Sequence, residues 1–198
     1  MITLILDTAY KNLMIGLYED DELLEGACIQ AFKKQSEEFF PVLEQILSDA
    51  GKTLRNVEEV VVTDGPGSYT GLRIAMTTAK LLATQSKAKL YTLDTLLLFA
   101  GLEPSANILM DARGRRAYAA HTENGEMIWE GILPVDQIDG FLNEHPGVLY
   151  GDASLIGKEA AEANFLDNAI ALRPFWKEVE QPHTLVPRYL KDSDSYKV

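Results

Sequence analysis

The sequence predicts an α/β protein of two similar lobes, and three observations carry that prediction. Short apolar, β-branched runs alternate with helix-length segments. An aspartate closes the first strand of each half, Asp7 and Asp111, at an offset of 111 − 7 = 104. At that same offset Asp20 faces Asn124, Glu22 faces Glu126 and Leu23 faces Met127, so both halves read strand, strand, strand, helix, strand, helix.

In chain order, Ile2 to Leu6 is a strand, Asp7-Thr8 a turn and Leu13 to Tyr18 a second strand. The turn Glu19-Asp20-Asp21 leads to a third strand, Leu23 to Ile29, which completes an antiparallel meander. A helix follows, with Ser36 as N-cap, Glu37 and Glu38 at the positive end of its dipole and Gly51 as its stop. Pro41 either starts the regular part of that helix or bends it. Val60 to Thr63 is a short buried strand, and Asp64 to Gly71 is a strand-to-helix loop. A helix over Thr70 to Gln85, a strand at Lys89 to Leu93 and a helix at Thr95 to Ala100 then imply a parallel element in the sheet. The second half places strands at Ile108 to Met110 and Val148 to Tyr150, with helices at Val135 to Asn143 and Ser154 to Ala163. The lobes are expected to span 1–103 and 104–198, breaking near Gly101 to Ala106. From Leu166 on, Pro174, Pro182 and Pro187 leave little regular structure before the tail Lys191 to Val198.

Composition narrows the function classes. With 46% hydrophobic and 24% charged residues the chain buries a real core. Its 18 Lys+Arg against 30 Asp+Glu give a net charge of −12, which argues against direct nucleic-acid binding and against anionic membranes. The basic clusters Lys33-Lys34 and Arg113 with Arg115-Arg116 are small. A lone Cys28 forms no internal disulfide and reads as an inert buried thiol, and no apolar run reaches a membrane span of about 20 residues, so a cytoplasmic location is expected. His121, His145 and His183 lack ligand spacing, so no metal site is expected.

Two corners could carry nucleotide chemistry. Gly65, Gly67 and Ser68 could aim backbone N–H groups at an anion at a helix N-terminus, and Arg113, beside Asp111, could pair with phosphate. The alternative is structural: Asp7 bonds neighbouring backbone N–H groups, and the Gly-Pro-Gly run is a tight turn capped by Ser68 or Thr70. The second half favours the latter, because Asp111 to Arg116 has no Ser or Thr and is bulky, and Leu149 to Asp152 has one glycine and adds a carboxylate.

Ile5-Leu6-Asp7-Thr8, the run Gly65 to Arg73, Asp111-Ala112-Arg113 with Tyr118, and Pro187-Arg188-Tyr189-Leu190 together resemble the bacterial TsaB family. The resemblance spans Ile2 to Leu190 and implies an actin-like, RNase H-like fold, in which Asp7 with Thr8 stands where that superfamily holds a metal-bound nucleotide. It also implies a role in threonylcarbamoylation of the adenosine beside the tRNA anticodon, as a non-catalytic subunit. The partner it implies is TsaD, a paralogue of the same fold, with TsaE joining the assembly. The chain alone would bind no cofactor, ATP being used by the complex. The departures are Gln35, where a histidine is common, Arg116, where an acidic residue is common, and Ala117, where a larger aliphatic is common. The competing reading is an independent ATP-dependent phosphotransferase of the same superfamily.

Two helices are more apolar than one buried face requires. Phe39, Phe40, Leu43, Ile46 and Leu47 on the first, with Leu72, Arg73, Met76 and Lys80 on the second, form the expected partner surface, used by a homodimer when the chain is alone. Leu47→Arg or Met76→Arg should then block association and leave a folded chain.

Overall fold

The structure, a computed structural model, describes residues 1–190, and the tail Lys191 to Val198 lies outside them. The chain divides into two compact units, Met1–Thr95 with Trp176–Arg188, and Leu96–Phe175 with Tyr189 and Leu190. The division falls a few residues before the expected break, and the return of residues 176–188 to the first unit is not announced by the sequence.

The first unit holds a six-stranded sheet. Strands β1 (Ile2–Asp7), β2 (Asn12–Glu19) and β3 (Glu22–Gln30) form the antiparallel meander. β4 (Glu59–Gly65) pairs parallel with β1, and β5 (Lys89–Asp94) pairs parallel with β4. Helix α1 (Gln35–Asp49) joins β3 to β4, and α2 (Tyr69–Ser86) joins β4 to β5. β1 is buried at all six positions, which explains why it reads as a continuous apolar run rather than an alternation. Leu4, Leu6, Leu13, Ile15, Val60 and Val62 line the sheet face that α1 and α2 cover.

Helix α1 starts one residue before the expected cap. Lys34 is its N-cap with no side-chain bond, and the Gln35 side chain donates instead to Tyr10 O at 2.6 Å, a tertiary contact that fixes the start of the helix. Pro41 lies inside the helix. Ser68 caps α2, its hydroxyl accepting from Gly71 N at 3.2 Å, and Lys87 ends it in the left-handed region.

The short helix α3 (Thr95–Ala100) leads into the second unit, whose sheet contains β6 (Ala106–Asp111), β7 (Arg116–Glu123), β8 (Glu126–Pro134) and β9 (Val148–Gly151). Its order is β8-β7-β6-β9, with β6 and β9 parallel. Helix α4 (Ile138–Glu144) packs Ile138 and Phe141 on Leu109, Ala117 and Ala119. The helix expected at Ser154 to Ala163 is only a 3-10 turn, Ala153–Ile156, which the left-handed Gly157 terminates. The helix in this region is α5 (Phe165–Ala171), capped by Asn164, and the last strand is β10 (Lys177–Glu178) beside β5 in the first unit.

The repeat is closer than residue identities suggest. β6, β7 and β8 begin and end 104 positions after β1, β2 and β3. The pairing irregularity between Leu17 and Tyr18 recurs between His121 and Thr122, again 104 apart. Asp20 and Asp21 take positive φ, as do Asn124 and Gly125, so both hairpins close through two-residue turns of the same hand. The offset drops at the fourth strand, where Glu59 pairs with Thr3 and Leu149 with Asn107 (149 − 59 = 90). The second copy therefore lacks the chain for a helix like α1. Both sheets carry the meander-plus-parallel-strand plan of the RNase H-like, actin-like fold.

Candidate functional site

In the first unit Asp7, Thr8, Gly67, Ser68 and Gly71 come together. Asp7 is 4% exposed. Its Oδ1 accepts from Ala9 N at 3.0 Å and from the Thr63 hydroxyl at 2.5 Å. Burial pushes its carboxyl above the ordinary aspartate range, opposed by those two bonds. The Thr8 hydroxyl donates to Gly71 O at 2.6 Å and accepts from Ala75 N at 3.3 Å, while Ser68 N donates to Ala9 O at 2.7 Å. The turn after β1 is thus bonded directly to the start of α2. A Cβ at Gly67 would run into Ala9 O, and one at Gly71 into Thr8 O, which is why this loop uses glycine.

In the second unit Asp111 Oδ1 accepts from Arg113 N at 2.7 Å. Asp152 Oδ2 accepts from Asp111 N, also at 2.7 Å, so a carboxylate takes the donor a phosphate loop would offer. Arg113, Gly114 and Arg115 all lie at positive φ, and Ala112 N bonds Arg116 O, closing a tight hairpin with exposed arginines at its tip. Neither corner, taken by itself, fits a magnesium-bound nucleotide: Asp7 is sequestered, Ser68 N and Gly71 N are already bonded, and Asp152 repels anions.

Of the nine residues expected on the partner face, Phe39, Leu43, Ile46, Leu47, Leu72 and Met76 are at most 8% exposed and belong to the core. The expectation for these six is corrected. Two helices side by side on one sheet bury wide stripes because each also covers the other, so apolar width does not reveal an outer face. Arginine at Leu47 or Met76 would bury an unpaired charge and break the fold rather than test an interface. Phe40 is 56% exposed, and it meets Phe39 edge to face. Arg73 is exposed, its guanidinium 4.5 Å from the Tyr69 ring centre, and Lys80 donates to His183 O and Leu185 O, both at 3.0 Å. Helix α1 has Glu37, Glu38, Glu44 and Asp49 but no Lys or Arg, whereas α2 has Arg73 and Lys80 but no Asp or Glu.

One cluster escaped sequence reasoning. Arg188 N donates to Asp64 O at 2.7 Å, and its guanidinium donates to Gly65 O at 3.0 Å and to the Asp94 carboxylate, with Asp64 Oδ1 3.9 Å from Nε. Burial raises the Asp64 carboxyl, and Arg188 opposes that rise. The signal was present in the Pro187 to Leu190 motif, but a proline-bounded arginine near a chain end has no readable partner. His121 and His145, far apart in sequence, stack with ring centres 4.8 Å apart, and His121 Nδ1 lies 3.0 Å from Asn107 Oδ1. Cys28 is exposed on the edge strand rather than buried, yet its thiol is pushed up to about 11 by desolvation and then by Asp7, which leaves it a poor nucleophile. Among the described residues no group of three or more His, Cys, Asp or Glu is placed to hold a metal, and no helix is long and apolar enough to cross a membrane.

Residues 29–142 match the family described as TsaD, tRNA N6-adenosine threonylcarbamoyltransferase. That span is more than half of the chain and contains both α1 and α2. The chain belongs to this family. Curated proteins to which the chain is similar include several named TsaB. The tRNA threonylcarbamoyladenosine biosynthesis protein TsaB of Bacillus subtilis (strain 168) is 25% identical, covering 96% of this chain and 94% of that protein. The TsaB of Escherichia coli (strain K12) is 27% identical over 66% of this chain and 59% of its own length. Among solved structures, an uncharacterized Pseudomonas aeruginosa protein with similarity to peptidase YeaZ superposes with a TM-score of 0.76 at 20% identity, covering 96% of this chain and 99% of that one. YeaZ from the same organism gives 0.74 at the same identity and coverage. At that identity both likenesses speak for the fold.

Proposed function

We propose that this chain is the TsaB-like subunit of the assembly that makes tRNA threonylcarbamoyladenosine, and that it acts by docking on TsaD rather than through chemistry of its own. The reading rests most on one observation: two adjacent helices carry opposite charge, acidic α1 beside basic α2, with Phe40 and Tyr69 exposed on them. The family match to TsaD spans this helix pair, which supports a counterpart to each helix on a TsaD chain. A twofold-like arrangement would set α1 of one chain against α2 of the other, pairing acid with base. The same complementarity supports a homodimer when the chain is alone. TsaE would join the assembled pair, ATP would be consumed there rather than by this chain, and all of this would take place in the cytoplasm. The poor fit of both Asp corners to a nucleotide supports a non-catalytic role.

Sedimentation of this chain mixed with TsaD from the same organism tests the proposal. A species at the summed mass is expected, and Phe40→Asp should weaken it by about tenfold or more while leaving the melting temperature unchanged, since Phe40 is 56% exposed. Independent sedimentation of the two wild-type chains would overturn it. ATP with Mg²⁺ should leave the melting temperature of the isolated chain unshifted.

A further inference from the structure

The turn after the first strand is built twice and finished differently. In the first unit Ala9 N donates to Asp7 Oδ1 at 3.0 Å, and 104 positions later Arg113 N donates to Asp111 Oδ1 at 2.7 Å, the same local turn. Ala9 is 0% exposed because the loop before α2 covers it, Ser68 N bonding Ala9 O and Gly67 standing too close to that carbonyl to carry a Cβ. The second unit has no helix like α2 at this point. There β9 is followed by Asp152 and the 3-10 turn Ala153–Ile156, and Arg113, Gly114 and Arg115 are all exposed.

The uncovered copy is cationic. Ala9, Tyr10, Lys11 and Asn12 have Arg113, Gly114, Arg115 and Arg116 as counterparts at the repeat offset. Residues 96–175 contain five Lys and Arg, namely these three arginines, Lys158 and Arg173, so most of the positive charge of that span sits in four consecutive positions. Lys158 is paired with Asp139 at 2.7 Å, whereas none of the three guanidinium groups makes an ion pair or hydrogen bond among the described residues. Arg116 lies along the tip, its Nη2 3.8 Å from where a Cβ on Gly114 would stand. The carboxylates nearby do not neutralise them. Asp111 holds Arg113 N, Asp152 is 8% exposed and holds Asp111 N, and Asp136 follows Val135, whose N–H bonds Arg115 O. Arg113 and Arg115 also take φ of 63° and 56°, where Gly or Asn is the less strained choice, so the backbone does not call for arginine.

We infer that this hairpin is an RNA-backbone contact: within the tRNA-modifying assembly, Arg113, Arg115 and Arg116 pair with phosphates of the bound tRNA. The inference rests on the function proposed above and adds the substrate to what this chain touches. Charge and shape identify the occupant. Unpaired guanidinium groups on an exposed turn match phosphates strung along a strand, whereas a compact triphosphate would need the backbone N–H groups that Asp111 and Asp152 already hold. The net charge of −12 keeps the chain from holding RNA by itself, so the contact forms where a partner supplies the rest of the binding. Phosphate contacts carry no base identity, and the hairpin therefore adds affinity without choosing among tRNAs.

The test is binding of unmodified tRNA to the assembled pair of this chain and TsaD at about 50 to 200 mM salt. Wild type is compared with the double variants Arg113→Asn/Arg115→Asn and Arg113→Lys/Arg115→Lys. The asparagine variant is expected to bind tRNA about tenfold more weakly and to lower the slope of log affinity against log salt by about 2, roughly one for each lost phosphate contact. The lysine variant should keep the wild-type slope. Both should sediment with TsaD as wild type does and keep its melting temperature, since Arg113 and Arg115 are exposed and their side chains hold nothing. Unchanged affinity and slope in the asparagine variant would overturn the inference and leave the docking function intact. Loss of TsaD association would make the hairpin a protein contact, and loss of ATP affinity with tRNA binding unchanged would make it a nucleotide contact; either result overturns it. If wild type does not sediment with TsaD, the docking function fails first and this inference falls with it.

Discussion

Gly71→Ala is expected to destabilise the chain by roughly 3 kcal/mol or more, the upper range for forcing a methyl into a packed interior. For a domain of this size that is about 6–12 °C in melting temperature. The new Cβ would meet Thr8 O, a backbone atom that cannot swing aside as a side chain would. Moving the turn also stretches the 2.6 Å bond from the Thr8 hydroxyl to Gly71 O and the Ala75 N–H bond to the same hydroxyl. Thermal melting of Gly71→Ala against Gly140→Ala checks the argument. Gly140 lies in α4 with nothing within 4 Å of its would-be Cβ, so alanine there should stabilise by about 0.5–1 kcal/mol. Equal melting of Gly71→Ala and wild type would mean that the turn after β1 and the start of α2 are not locked together.

Asp7→Asn separates the structural role of this residue from nucleotide chemistry. The amide keeps an oxygen for Ala9 N and the Thr63 hydroxyl, and it removes a charge held at 4% exposure. Because burial raises the folded-state pKa of Asp7, the proton is bound more tightly in the folded chain than in the unfolded one. Its contribution to stability is therefore fully present below the unfolded aspartate pKa and is lost as pH rises through the folded pKa. Asp64, also raised, adds to the same trend. Asp7→Asn should raise stability at neutral pH, because it removes the buried charge and keeps an acceptor for both bonds, and should flatten the decline that sets in as pH rises above the ordinary aspartate range. Denaturant titrations at several pH values measure both. A variant less stable than wild type at neutral pH, or one that abolishes an ATP-dependent thermal shift, would point back to a metal-nucleotide site.

Strands and the repeat were legible because their signals are local. β1 and β4 each carry an unbroken apolar run, Leu4 to Leu6 and Val60 to Val62, and Asp7 and Asp111 close β1 and β6 at matched positions. Helix ends were less legible where distant contacts set them: Gln35 fixes the start of α1 through Tyr10 O, 25 residues away. The helix expected after Ser154 failed because Gly157 reverses the backbone, and its apolar residues are too few to override that turn. In the candidate site, the glycines of the Gly65 to Arg73 run were visible, but the carbonyls that demand them, Thr8 O and Ala9 O, are known only once β1 and α2 meet. Six residues of the expected partner face lie in the core for a related reason. Phe39 and Phe40 are neighbours of identical chemistry, and only packing decides that the first is core and the second surface.

The returning segment Trp176–Arg188 makes the unit that begins the chain depend on residues made near its end. Domains tend to fold as they leave the ribosome, earliest segment first. Here the unit begun at Met1 lacks its sixth strand, the Leu185 contact with its core and the Arg188 bonds until synthesis has passed residue 188. Until then the edge of β5 stands open, although residues 96–175, the bulk of the other unit, are already translated. The first-begun unit thus waits on residues made near the end of synthesis, so a nonsense mutation just after Phe175 would take the sixth strand and the Arg188 anchor from the N-terminal unit while leaving residues 96–175 of the other in place.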